Sequence, residues 1–158
     1  MPIPKMFLII LLAAATAVGA CSTTNRGETK SELIQRAQSG DVDARYQLGE
    51  KYADATFPNT LEAIYWLCLA AKEGHVPAQM RLARLYEDQV IPDGSSASQG
   101  SLSNRGAAYF WYTAAASQGD DQAFSRRESL ESTMDASEVA EIKRRATRWQ
   151  QAGCLRPS

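Results

Sequence analysis

The stretch Ala63–Tyr86, AIYWLCLAAKEGHVPAQMRLARLY, carries the pattern that decides the fold. Moved forward by 45 residues, its Ala63, Trp66, Ala70, Ala71, Gly74 and Ala78 fall on Ala108, Trp111, Ala115, Ala116, Gly119 and Ala123. Moved back by 34 residues, its Gly74, Ala78, Leu82 and Tyr86 fall on Gly40, Ala44, Leu48 and Tyr52. Self-similarity at such a period is the mark of a repeat architecture. Within one unit, Ala44, Leu48 and Tyr52 recur every fourth residue, one stripe of a first helix. Ala63, Trp66, Ala70 and Ala71 form the stripe of a second. Gly74 and Gly119 stand just past that helix, where a left-handed residue is wanted. Pro77 suits the opening turn of the next helix, and Phe57-Pro58-Asn59 breaks the chain between the two helices of the first unit. The longer of the two spacings requires an insertion, which the Gly- and Ser-rich stretch Ile91–Asn104 supplies as a loop.

These residues resemble the Sel1-like repeat, a relative of the tetratricopeptide repeat. The match runs through Ala44-x3-Leu48-Gly49-x2-Tyr52, Ala63-x2-Trp66 and Ala70-Ala71-x2-Gly74-x3-Ala78. It resumes in Ala78-x3-Leu82-Ala83-x2-Tyr86, Ala108-x2-Trp111-Tyr112 and Ala115-Ala116-x2-Gly119-x3-Ala123. Ala83 replaces the usual Gly, Leu67 the usual Tyr, and Leu69 and Ala114 the usual Lys. The resemblance implies an all-α fold, a short right-handed α-solenoid of antiparallel helix pairs. The domain is expected over residues 30–151, with repeats at about 40–73 and 74–118, a cap over 119–151 and a tail over 152–158. For function the resemblance implies only a scaffold that binds proteins.

Both ends read as caps, which an open solenoid needs over its terminal apolar faces. Leu33, Ile34 and Ala37 predict a half-repeat helix over Lys30–Ser39. Gln122–Thr133 begins as a third first-helix, but Arg127 stands where Leu is expected, so one side of it should meet solvent. Asp135-x-x-Glu138 is a capping-box-like start. Val139, Ile142, Ala146 and Trp149 then predict a final amphipathic helix. Its basic end (Lys143, Arg144, Arg145, Arg148) suits the helix dipole, with contact to anionic lipid as the rival reading.

Residues 1–20, MPIPKMFLIILLAAATAVGA, place Lys5 before an apolar run that is too short to span a bilayer but fits a secretory signal. Val18-Gly19-Ala20-Cys21 resembles the bacterial lipobox. That resemblance implies lipidation of Cys21 and a mature chain beginning there; the acyl chains are the only non-protein group expected, and no other cofactor is. Two or three acyl chains give stable anchoring where one is marginal. Ser22, in place of an inner-membrane-retaining Asp, implies the outer membrane with the domain facing the periplasm. Residues 21–29 are polar and read as a flexible tether.

Composition narrows the function further. The 158 residues are 44% apolar, and 17 Lys+Arg nearly balance 18 Asp+Glu, so no basic surplus points to nucleic acid. A single His leaves little for a metal site or catalytic triad. His75, at the junction of two helices, is expected to face water or cap the next helix. Asp120 and Asp121 suit a helix start. No nucleophile elbow or fixed carboxylate pair is present, so the chain reads as a non-enzyme. Cys68 and Cys154 form an even pair, and an oxidising compartment invites a disulfide. A bond needs Cα atoms within about 7 Å, which requires the tail to fold back.

First helices line the concave side of such solenoids. With Ala44, Leu48 and Tyr52 inward, Tyr46 and Glu50 lie opposite and Gln47 flanks them. Their counterparts one unit on are Met80, Arg84 and Arg81. An exposed Tyr and Met rimmed by arginines is the composition of a protein-binding patch. The rival expectation pairs Glu50 with Arg84 and covers Met80 with the Ile91–Asn104 loop. Three readings of function follow. The first is a lipid-anchored protein-binding scaffold or adaptor. The second is an immunity protein neutralising a phospholipase-like effector of type VI secretion, and the third a factor in envelope or exopolysaccharide assembly.

Overall fold

The structure is a computed structural model that describes residues 28–54, 56, 58–88, 104–151 and 154. The signal segment, Cys21 and nearly all of the Ile91–Asn104 loop lie outside the described residues. Among these residues there are seven helices and no strand: α1 (Lys30–Gln38), α2 (Val42–Ala53), α3 (Thr60–Lys72), α4 (Val76–Asp88), α5 (Asn104–Ala116), α6 (Asp121–Glu131) and α7 (Ala136–Gln151). Each of α1 to α5 packs on the next, giving an all-α solenoid. No helix among the described residues is long and apolar enough to cross a membrane.

One junction is built three times. After α1, α3 and α5 the chain turns through Gly40, Gly74 and Gly119, with φ of +105°, +87° and +92°. This left-handed backbone is cheap for glycine and strained for residues with a Cβ. At each turn the residue after the glycine donates its amide to a carbonyl five residues back: Asp41 to Arg36, His75 to Ala70, Asp120 to Ala115. Those bonds satisfy helix-end carbonyls in the Schellman arrangement. The same residue then caps the next helix. Asp41, His75 and Asp120 accept the amides of Ala44 (2.9 Å), Ala78 (3.1 Å) and Ala123 (2.7 Å). A glycine hinge followed by a capping side chain thus aims each new first helix.

Alanines let the axes approach, and Ala44, Ala63, Ala70, Ala78, Ala108, Ala115 and Ala123 are wholly buried. Gly49 makes the tightest approach. A Cβ built there would lie 2.6 Å from Cγ of Leu67, itself fully buried. Leu33, Leu48 and Trp66 form a core under α1, while Leu82, Trp111 and Tyr112 belong to the larger core behind. The Tyr112 hydroxyl donates to Glu87 at 2.7 Å.

The two ends differ from the simplest expectation. Thr29, assigned to the tether, is the N-cap of α1 in a full capping box with Glu32, and Glu28 pairs with Arg36. At the other end, α7 makes its principal contact with α5 rather than with α6. Asp135 caps it, accepting the Glu138 amide at 2.8 Å, while the Glu138 side chain reaches Arg105 of α5. Only Ala123 of α6 is buried, Phe124 is 45% exposed, and the Arg127 guanidinium lies over the Phe124 ring at 4.6 Å.

Candidate protein-binding groove

The first helices α2, α4 and α6 leave an open groove of about 430 Å³ between them. Tyr46, Glu50 and Asp54 are spaced every fourth residue on α2 and form one wall. Val76, Pro77, Met80, Arg81 and Arg84 of α4 form the floor, and Asp120 and Gln122 close it at the start of α6. Five of the six residues expected on the binding face therefore meet in one place. Gln47 is exposed and does not line the groove.

Two details of the expected patch are corrected. Met80 is 7% exposed and belongs to the core, so it presents an edge to the groove and not a protruding side chain. The expected partner of Glu50, Arg84, is replaced by Arg81, whose Nε donates to Glu50 Oε1 at 2.7 Å and whose Nη2 reaches Asp54. Arg84 instead donates from Nη2 to Gln122 Oε1 at 2.6 Å, tying α4 to α6.

His75 supports the wall from behind. Its Nδ1 accepts the Ala78 amide, which assigns the ring proton to Nε2, 3.2 Å from Asp43 Oδ1. The Tyr46 ring lies against it, with centroids 4.8 Å apart. Burial, with the Glu50 charge added to it, pushes the Tyr46 phenol above its ordinary range. Near neutral pH Tyr46 is therefore a neutral phenol, a hydrogen-bonding edge on an apolar ring.

Asp54, Val76, Pro77, Asp120 and Gln122 line the groove beyond the expected face, although part of the signal is in the sequence. Asp54 continues the Tyr46–Glu50 stripe by one more turn. Asp120 and Gln122 are the counterparts of His75 and Pro77 after a further 45-residue shift. Away from the groove, a smaller hollow of about 250 Å³ between the repeats is lined in part by Lys72, Gln79 and Trp111. Gln79 is buried there and satisfied, donating to the Ala71 carbonyl and accepting from Gln118. Among the described residues no group of three His, Cys, Asp or Glu side chains could hold a metal ion. Cys68 on α3 and Cys154 are joined, with an S–S distance of 2.07 Å and Cα atoms 5.9 Å apart. Cys154 is thereby held at α3.

Residues 42–75 and 76–120 each match the Sel1 repeat. The chain belongs to the Sel1 repeat family. The matched repeats open at Val42 and Val76, where α2 and α4 begin, two residues later than the sequence pattern alone placed them. No curated protein matches the chain. Sel1 repeats form helical solenoids that typically act as non-catalytic scaffolds with protein partners.

Proposed function

We propose that this Sel1 repeat protein is a lipoprotein, held in the outer membrane through acylated Cys21, that binds a protein partner on the periplasmic side in the groove between α2, α4 and α6. The observation that carries the reading is the groove itself. Three successive first helices converge on one concavity whose apolar floor (Val76, Pro77, the edge of Met80) and aromatic wall (Tyr46) are rimmed by charges. Aromatic and arginine side chains around an apolar centre are the usual makeup of a protein-binding hot spot. Two further features support the compartment. The Val18-Gly19-Ala20-Cys21 sequence has the form of a lipobox, and a Cys68–Cys154 bond suits an oxidising environment.

The test has two arms. Metabolic labelling with a clickable palmitate analogue, followed by mass spectrometry of the N-terminal peptide, should find the label on Cys21 and none in Cys21→Ala. An unmodified Cys21 would remove the anchor from the proposal. In the second arm, partner capture by the wild type is compared with Tyr46→Ala and Val76→Asp, each shown to be folded. Capture should fall in both, and capture that is unchanged in both places the interaction elsewhere.

A further inference from the structure

Arg81 and Arg84 stand on one face of α4 and line the same groove, but their surroundings differ. Arg81 is matched twice, by Glu50 at 2.7 Å and by Asp54. Arg84 makes one hydrogen bond to a neutral group, Gln122, and among the described residues no carboxylate pairs with it. Its side chain is nonetheless half-buried, and its Gln122 partner brings no counter-charge. A guanidinium offers five donors in a planar fork that fits a carboxylate edge on. The Gln122 bond occupies one Nη2 donor and fixes the fork at the α6 side of the groove. Asp120, the acid on that side, is engaged as a helix cap with the Ala123 amide.

We propose that Arg84 anchors an acidic side chain of the protein partner, an Asp or Glu that lies next to a bulky apolar residue seated against Tyr46 and Val76. The inference rests on the groove reading above and adds the chemistry of the partner. The groove as a whole is not basic, with Glu50, Asp54 and Asp120 against two arginines, so the uncompensated charge at Arg84 alone sets the acid, and the apolar floor beside it sets its neighbour. Arg81 differs in that its charge is already matched by Glu50 and Asp54, which hold α2 to α4. Partial burial strengthens the contact, since a charge-assisted bond gains where water is displaced.

The full chain, in mild detergent, is presented to a random-peptide display library, and selected peptides are measured by fluorescence anisotropy. They should be enriched in Asp or Glu adjacent to Leu, Phe or another large apolar residue. Arg84→Gln should weaken them about ten-fold or more, Arg84→Lys should recover part of the loss, and Tyr46→Ala should weaken them too. Replacing the peptide's acid by its amide reads the same contact without touching the protein, and should cost a similar factor. Binders lost with Tyr46→Ala but indifferent to Arg84→Gln and to the amide change would overturn the anchor and leave the groove reading intact. If no binder emerges, or binders ignore Tyr46→Ala, both the groove and its anchor are overturned.

Discussion

Tyr46 lies against His75, their ring centroids 4.8 Å apart and their planes tilted by 37°, so the groove wall rests on the side chain that caps α4. Losing that cap should cost more than surface substitutions do. His75→Ala is expected to destabilise the domain by about 1 kcal/mol, the usual cost of a lost N-cap. His75→Asp should retain most of the stability, because Asp41 and Asp120 do the same work at the equivalent junctions. Urea denaturation of the two variants checks both expectations, and a loss of equal size in each would count against the capping role.

Gly49→Ala should destabilise despite alanine's better helix propensity. The added methyl would meet Leu67 at 2.6 Å, and Leu67 is fully buried and has nowhere to go. Overpacking of this kind costs about 1–3 kcal/mol, against about 1 kcal/mol gained from propensity. Combining it with Leu67→Ala should lessen the penalty of the glycine change, which a double-mutant cycle by thermal denaturation reads directly.

Reduction should lower stability substantially. Cys68 and Cys154 are 86 residues apart, and closing so long a loop restricts the unfolded chain. Native disulfides contribute about 2–4 kcal/mol. Cys68→Ser and Cys154→Ser should each show that loss, the double variant should lose no more than either, and all three should melt identically with and without reductant. A wild type whose melting ignores reductant would refute the bond's contribution.

Acid should weaken the first junction. The Ala44 amide, and after it the Arg36 guanidinium, hold the Asp41 carboxyl below the ordinary value of 3.8. A carboxylate whose folded pKa is depressed adds stability above its unfolded pKa, and that stability is lost as pH falls through the folded value. Asp41→Asn should therefore flatten the stability profile below about pH 4, measured by urea midpoints across an acid series. An unchanged acid slope would contradict the assignment.

Base should act through the core. Burial pushes the Tyr86 phenol up from 10.0 to about 12. A group kept neutral in this way supports the fold fully below its ordinary pKa and withdraws support as pH rises through the folded value. Tyrosinate absorbance should therefore rise in two stages, exposed residues first, the buried ones together with loss of helical circular dichroism. Tyr86→Phe should delay that second stage.

The hinges, the helix pairs and the groove's location were legible in the sequence because one glycine-centred junction recurs at fixed spacing, and recurrence needs no tertiary information. Of the two expectations for Met80, exposed or covered, burial prevails, through the core rather than through the loop expected to cover it. A single inward stripe describes α2, where only Ala44, Leu48 and Gly49 are buried, but α4, like α2 packed by a helix on either side, buries a much wider arc. Its buried arc extends over Ala78, Gln79, Met80, Leu82, Ala83, Leu85 and Tyr86, and Met80 falls inside it. The pairing of Arg81 with Glu50 and Asp54 was equally out of reach. It depends on the axial offset between α2 and α4, which sequence periodicity does not encode. The docking of α7 on α5 rather than α6 follows composition: α5 buries Tyr109, Phe110, Trp111 and Tyr112 among its alanines, whereas α6 buries only Ala123.

A string of stacked helix pairs ordinarily comes apart like a zipper, from whichever end opens first. Here one end is sewn shut. The bond between Cys68 and Cys154 turns everything from the C-terminal part of α3 through α7 into a closed ring, and leaves α1 and α2 as an arm outside it, held by packing and ion pairs alone. Breathing of the native protein is thereby directed to the N-terminal side. Of the groove's three helices, α4 and α6 ride on the ring while α2, with Tyr46 and Glu50, rides on the arm. One wall of the cleft is thus joined to the other two by noncovalent contacts alone, Arg81 with Glu50 and Asp54 among them.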